Sequence, residues 1–232
     1  MTSTTKLGIM MGMLLAAGCS SGNSASNGNN NNADSGTEDS GDNGDAGDDG
    51  PTSNCIYPSG PYGTTVGKVI DPSLTWQGFV PGATTVSTIK ITDLYDCDGS
   101  KGINAIVLDD GAQWCVACQS VAPSIPDWMS PKGENWTKLG VGYLNLITQN
   151  NDYEPATITI AQQWRTMFNL TPIFVVADPN FSFPASGLPH SMLADPRTMK
   201  IVRDMDTDTL NADGSDPQVT DLAKKNAVVD GG

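Results

Sequence analysis

The chain has 232 residues, with 26 acidic against 12 basic side chains and a formal net charge of −14. Seven acids lie between residues 20 and 54 and only Lys6 among the basic residues precedes Cys55, so Cys55 to Gly232 holds 11 basic and 19 acidic residues, a net charge of −8 over a single-domain length. Such an acidic surface favours solubility and argues against nucleic acid or anionic lipid as a partner.

In chain order, Lys6 supplies a positive start. Leu7 to Ala17 follows as an apolar stretch too short to span a bilayer, the pattern of an export signal. The stretch ends in Leu15-Ala16-Ala17-Gly18-Cys19, which resembles the lipobox of bacterial lipoproteins, with Ala16 where those proteins most often have Leu. The resemblance implies cleavage of residues 1–18 and lipidation of Cys19. The protein would then be anchored by lipid in the bacterial cell envelope, facing the periplasm or the exterior. The alternative is an ordinary secretory peptide with an incidental Cys19. Residues 19–54 continue as a linker of Ser, Gly, Asn and Asp without Lys or Arg. Such a tract cannot bury enough apolar surface to offset its ordering entropy, so it is expected to be disordered. Its reach as a flexible tether is roughly 30–35 Å. Its Asp-Gly pairs complete no calcium loop.

Residues 55–232 form the expected folded domain. Ser73 to Val80 and Thr85 to Tyr95 read as extended, with β-branched and aromatic residues between Gly and Pro breaks. Asn104 to Asp109 is a continuous apolar run, the mark of a strand buried on both faces. Cys115 to Met129 reads as a helix interrupted by Pro123 and Pro126, and Leu139 to Thr148 as a strand. Ala156 to Phe168 has helical spacing in Ile160, Trp164, Met167 and Phe168. Strands are expected over Pro172 to Ala177, His190 to Ala194 and Met199 to Arg203, and a last helix from about Pro217 to Val228. Strands alternating with helices imply a mixed sheet covered on two faces. The acids of Asp204-Met205-Asp206-Thr207-Asp208 lack the Gly and Glu of a calcium loop and read as a solvated turn.

Trp114-Cys115-Val116-Ala117-Cys118 stands where the buried strand is expected to turn into the helix. A helix start offers unpaired N–H groups and the positive end of the helix dipole, which together hold a cysteine as its nucleophilic thiolate. At the N-cap, the Cys115 sulfur would lie within reach of the N–H groups of Ala117 and Cys118. A zinc site would need two further ligands, and Cys55, Cys97 and His190 form no second close pair, so no metal is expected. With Cys19 lipidated, four of the five cysteines remain, and an even count in an exported chain suggests disulfides. Cys115 and Cys118 are a natural pair, which leaves Cys55 with Cys97. A staple between those two would close a loop of about 40 residues, worth about 2–4 kcal/mol. The alternative is that one of them exchanges with the active pair.

Over roughly Thr88 to Arg203 the chain resembles the thioredoxin superfamily. The resemblance rests on Trp114-Cys115-Val116-Ala117-Cys118, on Pro123 five residues after the second cysteine, and on Gly187-Leu188-Pro189 at the position of the family's cis-proline loop. The long N-terminal extension and the helix inserted between Thr148 and Pro172 look like the membrane-anchored thioredoxin-like lipoproteins of the extracytoplasmic branch. The implied fold is α/β and thioredoxin-like: a central mixed β-sheet of four or five strands flanked by helices, with an N-terminal β extension. The implied activity is thiol–disulfide oxidoreduction without a cofactor, of the protein-disulfide reductase type. Its partners would be protein disulfides or thiols in the cell envelope and a membrane thiol electron donor, with the membrane itself met through the lipid anchor. Cys115 would attack and Cys118 would resolve the mixed disulfide. Asp109, six residues before Cys115, matches the family's buried acid and would take the proton from Cys118. Asp110 should point the opposite way, because side chains alternate along a strand. Trp114 would shield the thiolate, or simply pack. Pro189, if cis, would expose the backbone of Leu188 to an extended substrate. His190, counted with Trp114, Leu188 and Pro189 among the substrate-binding residues, would either sit near Cys115 and aid the thiolate or move a proton, or be a half-exposed strand residue.

Related extracytoplasmic reductases often carry Glu between their cysteines, where this chain has Val116-Ala117. That dipeptide brings no charge or histidine to favour the thiolate strongly, so reduction or exchange is expected over strong oxidation. The peroxiredoxin motif would need Pro at Leu108 and Thr at Ala112, and the chain has neither. The rival of a different class is a thioredoxin-like copper-binding metallochaperone, which needs Cys-x-x-x-Cys and a later His. Here the cysteines are one residue closer, although His190 is present.

Overall fold

A computed structural model describes residues 55–205 and 217–228. The expected signal at 1–18, the lipidation site Cys19 and the linker at 19–54 lie outside the described residues, as do Asp206 to Asp208.

Seven strands form one sheet: β1 (Thr75–Phe79), β2 (Ser87–Lys90), β3 (Ala105–Gly111), β4 (Val141–Ile147), β5 (Phe174–Ala177), β6 (His190–Asp195) and β7 (Lys200–Met205). Their spatial order is β2-β1-β5-β4-β3-β6-β7. β3, β4 and β5 run parallel, while β6, β7, β1 and β2 join antiparallel. The expected core of four or five strands is therefore extended. The segment inserted after β4 contributes β5 as well as a helix, and β5 gives the β1–β2 hairpin an edge to pair with. The extended reading of Thr85 to Tyr95 holds only to Lys90. Ile91–Leu94 instead forms a 3₁₀ turn, closed by Asp93, whose carboxylate accepts from the Lys90 amide.

Among the described residues the helices are α1 (Val116–Val121), α2 (Ile125–Met129), α3 (Trp136–Leu139), α4 (Ile158–Met167) and α5 (Pro217–Val228). Pro123 and Pro126 divide the first helical stretch into α1, a 3₁₀ turn over Ala122–Ser124, and α2. A proline lacks the N–H that would continue the ladder. The short α3 was not legible in the sequence, and it ends at Gly140 with φ +76°. A Cβ at Gly140 would run into the Gly102 carbonyl, so only glycine fits there.

β3 is buried along its whole length and divides the core. Ala105 and Val107 join a cluster with Trp128, Trp136, Tyr143 and Trp164, to which all five helices contribute. Ile106 and Leu108 join a second cluster with Leu144, Leu146, Met192, Phe183 and the segment around Val69 and Ile70. Each fully buried side chain of this kind contributes about 1.5–3 kcal/mol relative to exposure. Cys55 and Cys97 are bonded to each other, and Tyr95 donates to the Ile56 carbonyl beside them at 2.8 Å. The start of the domain is thus held against the turn after Leu94.

Candidate active site

The central parallel strand β3 delivers the chain to a loop of four residues, and α1 begins immediately after Cys115. Cys115 is the N-cap residue, and its Sγ accepts from the Cys118 amide at 3.0 Å. The two sulfurs are joined in a disulfide, with Cα atoms 5.2 Å apart. Both cysteines are nearly buried, at 3% and 4% exposure, whereas Val116 between them is 75% exposed. Trp114 is half-buried. Its indole N–H donates to Gln149 at 2.9 Å, and its ring stacks on Tyr153 with centroids 5.0 Å apart.

The Leu188–Pro189 peptide is cis, and Pro189 borders a cavity of about 10 Å³ together with Cys118, Asp109, Asp110 and Gly111. That space suits about one water molecule. A neighbouring groove of about 210 Å³ is walled by Trp114, Gln149, Phe181, Phe183 and Leu188. The structure therefore brings Cys115, Cys118, Asp109, Trp114, Leu188 and Pro189 to one place.

Strand register explains how Asp109 is held. It lies directly opposite Asn145 on β4 and Ser191 on β6, so all three side chains share a face. Ser191 donates to Oδ1 and Asn145 donates to Oδ2, each at 2.8 Å. Asn145 in turn accepts from the Trp164 indole N–H at 2.9 Å. Burial raises the Asp109 pKa to about 6, while the hydrogen bonds from Ser191 and Asn145, the nearby Tyr143 hydroxyl and the charge of His190 oppose the rise.

Asp110 belongs to the other face, as strand alternation requires, and lies opposite His190. Its pKa rises to about 7, chiefly by burial. His190 corrects the sequence reading. It is 8% exposed, not half-exposed, and its ring nitrogens are turned to Asp110 and Asp204. The Asp110 carboxylate beside it raises its pKa first, burial opposes, and Asp204 adds to the rise. The sequence reading missed Asn145, Ser191, Trp164 and Asp204 as site residues. Asn145 and Ser191 did carry a signal, as polar residues inside otherwise apolar strands.

The solved structures with a similar chain course include the thioredoxin domain of a thiol-disulfide oxidoreductase from Bacteroides vulgatus. It is 15% identical with a TM-score of 0.47, over 71% of this chain and 99% of that one. A thiol:disulfide interchange protein from a Bacteroides species is 14% identical with a TM-score of 0.43, over 66% and 87% of the two chains. A thiol:disulfide interchange protein of the thioredoxin family from Chlorobium tepidum is 12% identical with a TM-score of 0.41, over 66% and 94%. The fold is α/β, a mixed seven-stranded sheet flanked by helices. No protein-family model and no curated protein matches the chain. Among the described residues no helix is long and apolar enough to cross a membrane.

Proposed function

We propose that the protein is an extracytoplasmic, membrane-tethered thiol–disulfide oxidoreductase that reduces or exchanges protein disulfides through Cys115 and Cys118. The observation that carries this reading is the Cys118 amide donating to the Cys115 sulfur at the start of α1. That N–H and the helix dipole favour negative charge on the sulfur, which makes Cys115 the attacking thiolate. Its attack on a substrate disulfide forms a mixed disulfide and releases the first substrate thiol. Cys118 then attacks the Cys115 sulfur, closes the internal disulfide and frees the second substrate thiol. Asp109, bordering the same cavity as Cys118, accepts the proton that Cys118 must lose. Trp114, Leu188 and Pro189 offer the substrate a partly apolar bed beside the sulfur. His190 supports the buried acids rather than the substrate. The tether would be the linker up to residue 54, anchored through lipid on Cys19, with a membrane thiol donor returning Cys115–Cys118 to the reduced state.

The test is the reduction potential of the pair, read by equilibrating the protein with thiol buffers and counting alkylated cysteines by mass. A value near about −270 mV supports a reductase fed by a membrane donor. A value near about −120 mV makes it an oxidase that introduces disulfides. A pair that never cycles would end the redox reading.

A further inference from the structure

We infer that Asp110, His190 and Asp204 form a proton conduit between the cavity beside Cys118 and solvent. The inference rests on the thiol–disulfide reading above and supplies a step which that reading leaves open. A proton taken from Cys118 into a closed, buried site has to leave before the next cycle. Asp109 is poorly placed to export it, because its two oxygens already accept from Ser191 and Asn145 on a face sealed by Tyr143 and Trp164.

Asp110 borders the same cavity and is differently bonded. Both of its carboxylate oxygens, and Nδ1 of His190, are buried without a hydrogen-bond partner. Polar groups left in that state cost stability and call for an explanation. Nδ1 lies 3.6 Å from Asp110 Oδ2, one small rotation from hydrogen-bond range. On the other side of the ring, Nε2 is 2.8 Å from Asp204 Oδ1, and the Asp204 side chain is 59% exposed. The order is therefore cavity, carboxylate, imidazole, carboxylate, water. Strand register makes it possible. Asp110 is opposite His190 across β3 and β6, and Asp204 is opposite Met192 across β6 and β7, which puts all three on one face.

The step balances without any added oxidant or reductant. As the Cys118 sulfur attacks Cys115, the Cys115–Cys118 bond forms and the bond to the substrate sulfur breaks. The substrate leaves as a thiolate and takes a proton from water. The proton lost by Cys118 enters the acid pair at the cavity. From Asp110 it passes to Nδ1 of His190, while the proton on Nε2 departs through Asp204 to solvent. The charged neighbours suit this traffic. Asp109 and Asp178 both push the Asp110 pKa up, and His190 pulls it down.

The test uses the reduced full-length protein and an aromatic disulfide that releases coloured thionitrobenzoate. The first release reports attack by Cys115, and the second reports resolution by Cys118. In Asp204→Asn and His190→Gln the first release keeps its wild-type rate. The second slows on the order of tenfold below about pH 7 and rejoins wild type above about pH 9, where Cys118 ionises unaided. Asp204 is exposed, so its variant keeps the fold even if His190→Gln does not. A purely structural role for His190 would leave the pH dependence of resolution unmoved. Second-release rates and pH profiles matching wild type in folded Asp204→Asn would overturn the conduit while leaving the redox reading intact. Absence of the first release in the wild type would instead overturn the redox reading, and the conduit with it.

Discussion

The Cys118 amide donates to the Cys115 sulfur across 3.0 Å, so the residue proposed to resolve the mixed disulfide also steadies the sulfur that forms it. The two roles separate on mutation. Cys115→Ser is expected to abolish exchange with a disulfide substrate. Cys118→Ser keeps the backbone N–H, so it should still attack but stall as a mixed disulfide, visible by mass as an added substrate thiol. Full activity in Cys115→Ser would sink the mechanism.

The buried carboxyl Asp109 makes stability depend on pH. Its folded pKa of about 6 lies above the ordinary 3.8, so the folded state holds the proton more tightly than the unfolded chain. The stability this contributes is complete below about pH 4 and is lost as pH rises through 6, a fall of about 3 kcal/mol. Asp109→Asn should flatten that part of the pH–stability curve. Urea unfolding at a series of pH values gives the slope, and an unchanged slope between pH 4 and 6 would contradict the burial argument.

Histidine adds a second window with the same sign. The His190 pKa is raised above 6.5, chiefly by Asp110, so its stabilisation is present below 6.5 and disappears as pH rises through its folded value. Asp204→Asn removes one of the two carboxylates that raise it. The histidine resonance, followed by NMR titration, should then move to a lower pH than in wild type.

Trp164 holds Asn145, and Asn145 holds Asp109. Trp164→Phe keeps most of the apolar contact but leaves Asn145 Oδ1 buried without its donor, at a cost of about 1–3 kcal/mol. Freed to rotate, Asn145 would grip Asp109 less, and the carboxyl would titrate higher still. Thermal unfolding checks the first expectation and carboxyl NMR the second.

Cys55 and Cys97 lie far from the redox pair in sequence and close a loop of 42 residues' separation. Cys97→Ser should lower stability by about 2–4 kcal/mol, because the unfolded chain regains its freedom. Exchange through Cys115 and Cys118 should persist at temperatures where the variant is folded. Loss of exchange in the folded variant would mean instead that this pair takes part in the redox cycle.

The sequence by itself determined the local elements of the domain. A continuous apolar run in β3, helical spacing in α4 and the prolines that split α1 from α2 all act within a few residues, and these elements formed within a few residues of their expected places, whereas α3 and the 3₁₀ turn at Ile91–Leu94 were not foreseen. The site was legible where chemistry is local, in the cysteine at a helix start and in the alternation that separates Asp109 from Asp110. Only the tertiary structure decided what those acids meet. Ser191 lies 82 residues from Asp109 and Asn145 lies 36, and both reach it only because β4 and β6 flank β3 in one particular register. The seven extended segments were legible, but not their order, since the place of β5 between β1 and β4 is set by long-range pairing. His190 showed this most plainly. Its sequence position left open a neighbour of Cys115 or a half-exposed strand residue; a side chain's partners depend on which face of the sheet it occupies, and register placed it, buried, between Asp110 and Asp204.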